Sequence, residues 1–209
     1  MDNMIGIIWA TKDDAATFLQ RWNNGVFKSL TEGSMQEDDD VAVTISGVGK
    51  IKAALSTERL IIAYKPRIII NIGSCGLLNS TYNIFDIVNI KEVIEGDHFW
   101  SGTKVFPTIL LNPIGDFIPK ARLVTQDHPI EFKDERDRWS KLADLCDMEG
   151  YAVAKTCMGH NIPCHLVKGV TDEAGIGDVE GTKQFEKNIP VIATSLFKWI
   201  ESFMKSNLK

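Results

Sequence analysis

The chain has 209 residues, 44% of them hydrophobic, 24% charged and 9% aromatic, with 23 basic against 28 acidic side chains for a formal charge of -5. A domain of this length buries roughly 70% of the surface its unfolded chain exposes, so it needs neither disulfides nor a structural metal, and a mildly acidic balance gives no counterion-release drive toward nucleic acid. Small cross-linked scaffolds and DNA- or RNA-binding modules are set aside on these grounds, and Cys75, Cys146, Cys157 and Cys164 show neither a Cys-x-x-Cys pair nor a zinc spacing and read as reduced, mostly buried thiols.

Met4 to Ala10 is a short apolar run with acids on both sides and no basic stretch before it, which predicts a first strand and no signal peptide. No apolar run approaches the roughly 18 residues of a membrane span, so a cytoplasmic location without a membrane partner is expected. Ala15, Phe18, Leu19 and Trp22 recur at helical spacing and predict a helix after the strand. Residues 31–40 are polar and acidic and predict a solvated loop, followed by a strand over Val41 to Ser46.

Gly47-Val48-Gly49-Lys50 predicts a plain strand-to-helix turn, because Lys52 stands where a dinucleotide fingerprint needs its third glycine and the P-loop spacing is absent. The next helix runs from Lys50 to Tyr64, with Ile51, Ala54, Leu55 and Ile62 as its apolar face and Pro66 marking its end. Arg67 to Gly73 is a strand without alternation, as a parallel sheet covered on both faces requires. Further strands are predicted over Asp86 to Val93, Arg122 to Thr125 and Cys164 to Gly169, with a loop-rich stretch over 95–120 and a helix near Glu149 to His160. Ile192, Leu196, Trp199 and Phe203 form the stripe of a last helix. With no repeat, linker or composition break, residues 1–209 are expected to form one α/β domain.

Ligands of open α/β sheets bind beyond the carboxyl ends of strands. Four places follow predicted strands or open a helix: Asp13-Asp14, Gly73-Ser74-Cys75-Gly76, Asp147-Met148-Glu149-Gly150 and Thr171-Asp172. Singly, each also fits a bland role. The acids could serve helix N-termini, and the glycine and threonine segments could be ordinary turns. Ser74 has no G-x-S-x-G context, and His98, His128, His160 and His165 are not spaced as a metal pair.

The order of the four places resembles the nucleoside phosphorylase and nucleosidase superfamily, and within it the 5'-methylthioadenosine/S-adenosylhomocysteine nucleosidases. The resemblance is carried by IGIIWATKDD, GVGKIKAAL, KPRIIINIGSCGLL, FDIV, DMEGYAVAKTCMGHNIP and LVKGVTDEAG, spread from residue 5 to about 175. It implies an α/β/α sandwich around a mixed, largely parallel sheet. It also implies hydrolysis of the N-glycosidic bond of a purine nucleoside whose 5' position carries a thioether, without cofactor or metal. A homodimer is implied too, with a loop from the neighbouring subunit, Trp100 or Phe106 in this chain, closing the 5' pocket.

By the same resemblance Asp172 is the acid facing purine N7, with Thr171 in a position usually held by Ser and able to orient it. Glu149 accepts the ribose 2' and 3' hydroxyls, Met148 packs on the sugar, and Ser74 and Gly76 line the pocket. Phosphorylases of the superfamily carry a phosphate-gripping Arg three residues before the serine, and this chain has Asn71 there, which favours water as nucleophile.

Two positions depart from the pattern. The water-activating Glu aligns with Asp14, one methylene shorter, beside Asp13. The aromatic that stacks on the base aligns with Pro129, next to Ile130, which is expected at the base; Phe132 or His128 would have to stack in its place, or the base is not adenine. The stretch between Gly96 and Arg122 is also shorter than the resemblance leads one to expect. Futalosine hydrolase, a purine nucleoside phosphorylase and a catalytically weak nucleoside-binding protein remain as alternatives. Asp172 tilts the reading toward adenine nucleosides, because the futalosine branch tends to have Asn there.

Overall fold

The computed structural model describes residues 3–98, 105–114 and 118–207. In chain order the elements are β1 (Ile5–Trp9), α1 (Lys12–Arg21), β2 (Met35–Asp38), β3 (Val41–Ile45), α2 (Lys50–Tyr64), β4 (Ile68–Leu77) and β5 (Ile87–Glu95). They continue with β6 (Thr108–Leu110), β7 (Lys120–Thr125), α3 (Lys133–Trp139), β8 (Leu145–Asp147), α4 (Gly150–Gly159), β9 (Cys164–Glu173) and α5 (Asp178–Asn207).

The strands form one mixed sheet in the order β2-β3-β1-β4-β8-β7-β5-β6, and β9 pairs with both β4 and β5. Strands β4, β8, β7, β5 and β9 therefore close a circuit, with β4 and β9 running parallel along most of their length. Helices cover both faces. Ile5, Ile7 and Trp9 of β1 pack with Phe18 of α1 and Ile192, Leu196 and Phe197 of α5, whereas Ile8 points to the opposite layer with Leu60 of α2 and Val153 of α4. Period-two side-chain alternation along a strand buried on both sides gives this split.

The α1 stripe is as expected, with Ala15, Phe18 and Leu19 buried and the Trp22 ring stacked on Phe18. The α2 stripe is not. Ala53, Ser56, Thr57, Leu60 and Ile61 form the buried face, while Ile51, Leu55 and Ile62 are 74%, 60% and 63% exposed. Small side chains at 53, 56 and 57 let α2 approach the sheet and α4 closely, and this steric fit outweighs the larger apolar area on the other side.

Residues 31–40 hold a strand where a solvated loop was expected: β2 pairs antiparallel with β3 at the sheet edge, where Met35 and Gln36 are only half-buried and Glu37 is exposed. An edge strand with charged residues protects its free side, so acidic composition does not exclude pairing. The expected strand ends at Gly73 and Gly169 also fall short, because β4 continues through Gly73-Ser74-Cys75-Gly76 and β9 through Thr171-Asp172. A turn at Gly73 to Gly76 is thereby corrected to a strand. The ladder slips between Cys75 and Gly76, which pair with Val170 and Asp172, so Thr171 is the extra residue of a β-bulge. A bulge locally re-aims its side chains.

Candidate active site

Three chain reversals bring the acids together. Thr11 caps α1, and its hydroxyl accepts the backbone N–H of Asp14 at 3.1 Å while Asp14 reaches back to the cap, a reciprocal capping box. This draws Asp14 inward, to 1% exposure, and leaves Asp13 in solvent. The Asp14 carboxylate also crosses to the sheet: Oδ1 accepts the Ser74 N–H at 2.8 Å, and Oδ2 accepts the Thr11 N–H at 3.2 Å and hydroxyl at 2.6 Å.

Asp147 ends β8 and Glu149 caps α4. Asp147 is fully engaged. It accepts the Thr125 hydroxyl at 2.6 Å and the Gly150 N–H at 2.9 Å, and it pairs with the Lys168 ammonium at 2.7 Å, both side chains being 1% exposed. Lys168 sits on β9 opposite Gly73 of β4. The partner carboxylate offsets the desolvation of a cation that otherwise has no water.

Glu149 accepts the Gly49 N–H at 2.9 Å through Oε1. Gly49 adopts a φ of 101°, a conformation other residues avoid, which turns its N–H toward the acid. The turn at 47–50 is thus the plain connection expected, and it also supplies a site donor. Burial, reinforced by the charges of Asp147 and Asp14 and opposed by Lys168 and the Gly49 N–H, pushes the Glu149 carboxyl up to about 7.

Asp172 lies beside the bulge, and the Thr171 hydroxyl donates to its Oδ1 at 2.6 Å. Burial raises its proton affinity above the ordinary carboxylate range, partly offset by that hydrogen bond. A side chain on Gly76 would place its Cβ 3.3 Å from Asp172 Oδ2 and 2.9 Å from Cys146 Sγ, so glycine is what leaves room for the acid there.

Asp14, Asp147, Glu149 and Asp172 surround one cavity of about 300 Å³, enough for a nucleoside-sized ligand. Asp14, Ser74, Gly76, Ile130, Met148, Glu149, Thr171 and Asp172, the candidates from sequence, all line it, and no Lys or Arg is among its described lining residues. Asn71 does not reach it: the side chain is 1% exposed and its amide donates to the Ile8 carbonyl at 3.1 Å.

His128 and Pro129 contribute to the wall, whereas Phe132, expected as one possible stacking residue, is 66% exposed and not among the residues lining the cavity. The aromatic wall residue is Phe185 of α5, with Thr11, Gln126 and Cys146 as further lining residues the sequence reading passed over. Lys168 carried a signal, a lone cation inside the apolar run Leu166 to Val170; Phe185 carried none, because helix packing alone brings it in. Of the expected loop residues, Trp100 lies outside the described residues, and Phe106 packs on Trp139 with ring centroids 4.8 Å apart, in an adjoining cavity that shares Gln126 and His128 with this one.

A closed mixed sheet with helices on both faces and a carboxylate-lined cavity at its strand ends defines an α/β enzyme-type architecture. A sequence profile of the phosphorylase superfamily matches residues 4–125 and 124–205, and the chain belongs to that superfamily. It is 27% identical to the 5'-methylthioadenosine/S-adenosylhomocysteine nucleosidase of Staphylococcus aureus strain MRSA252 over 230 residues, covering 96% of this chain and 99% of that one.

Two solved structures share the fold. One is a mutant Helicobacter pylori methylthioadenosine nucleosidase with 5'-methylthioadenosine in its active site, at TM-score 0.80 and 19% identity over 99% of this chain and 100% of the other. The second is the futalosine hydrolase of H. pylori strain 26695, at TM-score 0.78 and 18% identity over 99% of each chain.

Proposed function

We propose that the chain is a nucleosidase that hydrolyses the N-glycosidic bond of a 5'-substituted purine nucleoside, 5'-methylthioadenosine or S-adenosylhomocysteine, and releases the free base. The observation that carries this reading is the convergence of Asp14, Glu149 and Asp172 on one nucleoside-sized cavity with no Lys or Arg among the described lining residues. The nearest buried ammonium, Lys168, is held by Asp147 and leaves no grip for phosphate. Water is then the nucleophile.

Cleavage of this bond builds positive charge on the ribose and negative charge on the purine, so the site must act on both. Asp172, with its raised proton affinity and Oδ1 held by Thr171, supplies a proton to N7 of the leaving base. Glu149, with Oε1 fixed by Gly49, offers Oε2 to the 2' and 3' hydroxyls, and Met148 packs against the sugar. Asp14 takes the proton of the attacking water, and Ser74, Gly76 and Ile130 shape the pocket around it.

The reading includes a homodimer, supported by the outward apolar stripe of Ile51, Leu55 and Ile62 on α2 beside the exposed Met158 of α4. A cytoplasmic role in methionine salvage on one domain completes it; the four free thiols are consistent with a reducing compartment.

Purified protein incubated with methylthioadenosine, first without and then with phosphate, is the test. Adenine release that does not depend on phosphate supports the proposal. A pentose-1-phosphate product would replace it with a phosphorylase, turnover of futalosine alone with the other hydrolase, and retention of intact nucleoside with a binding protein.

A further inference from the structure

The shortened acid at position 14 raises a problem of reach. Asp14 is 1% exposed, and both its oxygens already accept hydrogen bonds, Oδ1 from the Ser74 N–H at 2.8 Å and Oδ2 from the Thr11 N–H at 3.2 Å and hydroxyl at 2.6 Å. These bonds fill three of the roughly four acceptor sites of a carboxylate, so the buried acid has little left to offer a water molecule in the cavity. Thr11 is less buried than Asp14 and lines the same cavity.

A hydroxyl has one proton and two lone pairs. The Thr11 proton goes to Asp14 Oδ2, and one lone pair accepts the Asp14 N–H at 3.1 Å. The second lone pair has no protein donor among the recorded hydrogen bonds of Thr11. It is an acceptor joined to the buried acid by a direct hydrogen bond.

We propose that Thr11 relays the proton of the attacking water to Asp14, a role that rests on the hydrolase reading above. As the water oxygen bonds to the anomeric carbon, its proton passes to Thr11 Oγ while the Thr11 hydroxyl proton passes to Asp14 Oδ2. The electron pair of the broken C–N bond leaves with the purine, which takes the proton of Asp172. Asp14 ends neutral and Asp172 ionised, so charge and protons balance. The hydroxyl restores the reach that the missing methylene removes.

Thr11 also caps α1, and the test separates the two roles. Asparagine caps as well as threonine but carries no hydroxyl to relay a proton. Thr11→Asn is expected to keep the melting temperature and the KM for methylthioadenosine within a small change while kcat falls about a hundredfold, the scale of general base catalysis. Thr11→Ser should recover at least about tenfold of that loss. Adding Asp14→Glu to Thr11→Asn should also recover about tenfold or more, because the longer carboxylate reaches the water itself.

A kcat for Thr11→Asn within about threefold of wild type would overturn the relay, as would a Thr11→Asn/Asp14→Glu double variant no faster than Thr11→Asn alone. If Thr11→Asn folds poorly, the Thr11→Ser variant alone decides: a loss of kcat of about a hundredfold with the hydroxyl retained overturns the proposal. Failure of the hydrolase reading looks different. Wild-type protein then releases no adenine, whereas an Asp14→Asn variant that turns over like wild type overturns the relay and leaves the hydrolase reading standing.

Discussion

Replacing Glu149 by glutamine is expected to make the protein more stable above neutral pH while abolishing turnover. Burial and the neighbouring Asp147 raise this carboxyl from its ordinary 4.5 to about 7. A folded value above the unfolded one favours the protonated form in the fold. The contribution to stability is fully present below the unfolded value and is lost as pH rises through about 7. At about 1.4 kcal/mol per unit, holding Glu149 ionised at pH 8 costs about 3 kcal/mol, against under about 1 kcal/mol at pH 5.

Glutamine keeps an oxygen for the Gly49 N–H, which sits 2.9 Å from Oε1, and carries no charge. Urea unfolding at pH 5 and pH 8 should therefore show Glu149→Gln ahead of wild type by roughly 2–3 kcal/mol at the higher pH and near parity at the lower. Parallel changes in the two proteins, or a variant less stable at pH 8, would refute the reasoning. In wild type the same ionisation should make kcat/KM rise about tenfold between pH 6 and pH 8, because in the proposed mechanism the ribose hydroxyls need the carboxylate. A carboxylate placed for the proposed chemistry is thus expected to cost the resting fold stability.

Asp172→Asn should leave the melting temperature unchanged and lower turnover of methylthioadenosine by about a hundredfold or more; unchanged turnover removes Asp172 as the acid. Lys168→Met strands the buried Asp147 charge and should cost about 3–5 kcal/mol in urea unfolding, with part regained on adding Asp147→Asn; a loss under about 1 kcal/mol would show that the pair is not held as described. Leu55→Glu combined with Ile62→Glu should convert a dimer to a monomer in sedimentation, and an unaltered sedimentation coefficient would place the subunit contact elsewhere.

The resemblance carried by motifs spread over the chain pointed to acids that the fold brings to one cavity, and each sits where a strand meets a helix or loop. Asp14 follows β1 within the first turn of α1, and Glu149 caps α4. Asp13 and Asp14 could not be told apart in sequence. The capping box with Thr11 separates them, since only the third helical position reaches back to the cap.

Less was legible where a choice depends on what lies opposite. The apolar stripe of α2 is larger on its outward side, and its inward side was settled by small residues fitting against α4 and the sheet. Gly73 to Gly76 has turn composition yet runs as strand, because β9 and β8 supply partners for it. Phe185 enters the pocket only through the docking of α5.

The amino-acid order by itself determined the layered α/β plan and the buried β4 run, which follow from periodicity, and its resemblance to a known superfamily singled out three widely separated carboxylates. Tertiary packing decided which face of α2 is buried, how the bulge at Thr171 aims Asp172, and that Lys168 is sealed against Asp147. These are contacts between residues far apart in the chain, and their energies depend on shape and dielectric surroundings that exist only once the sheet has closed.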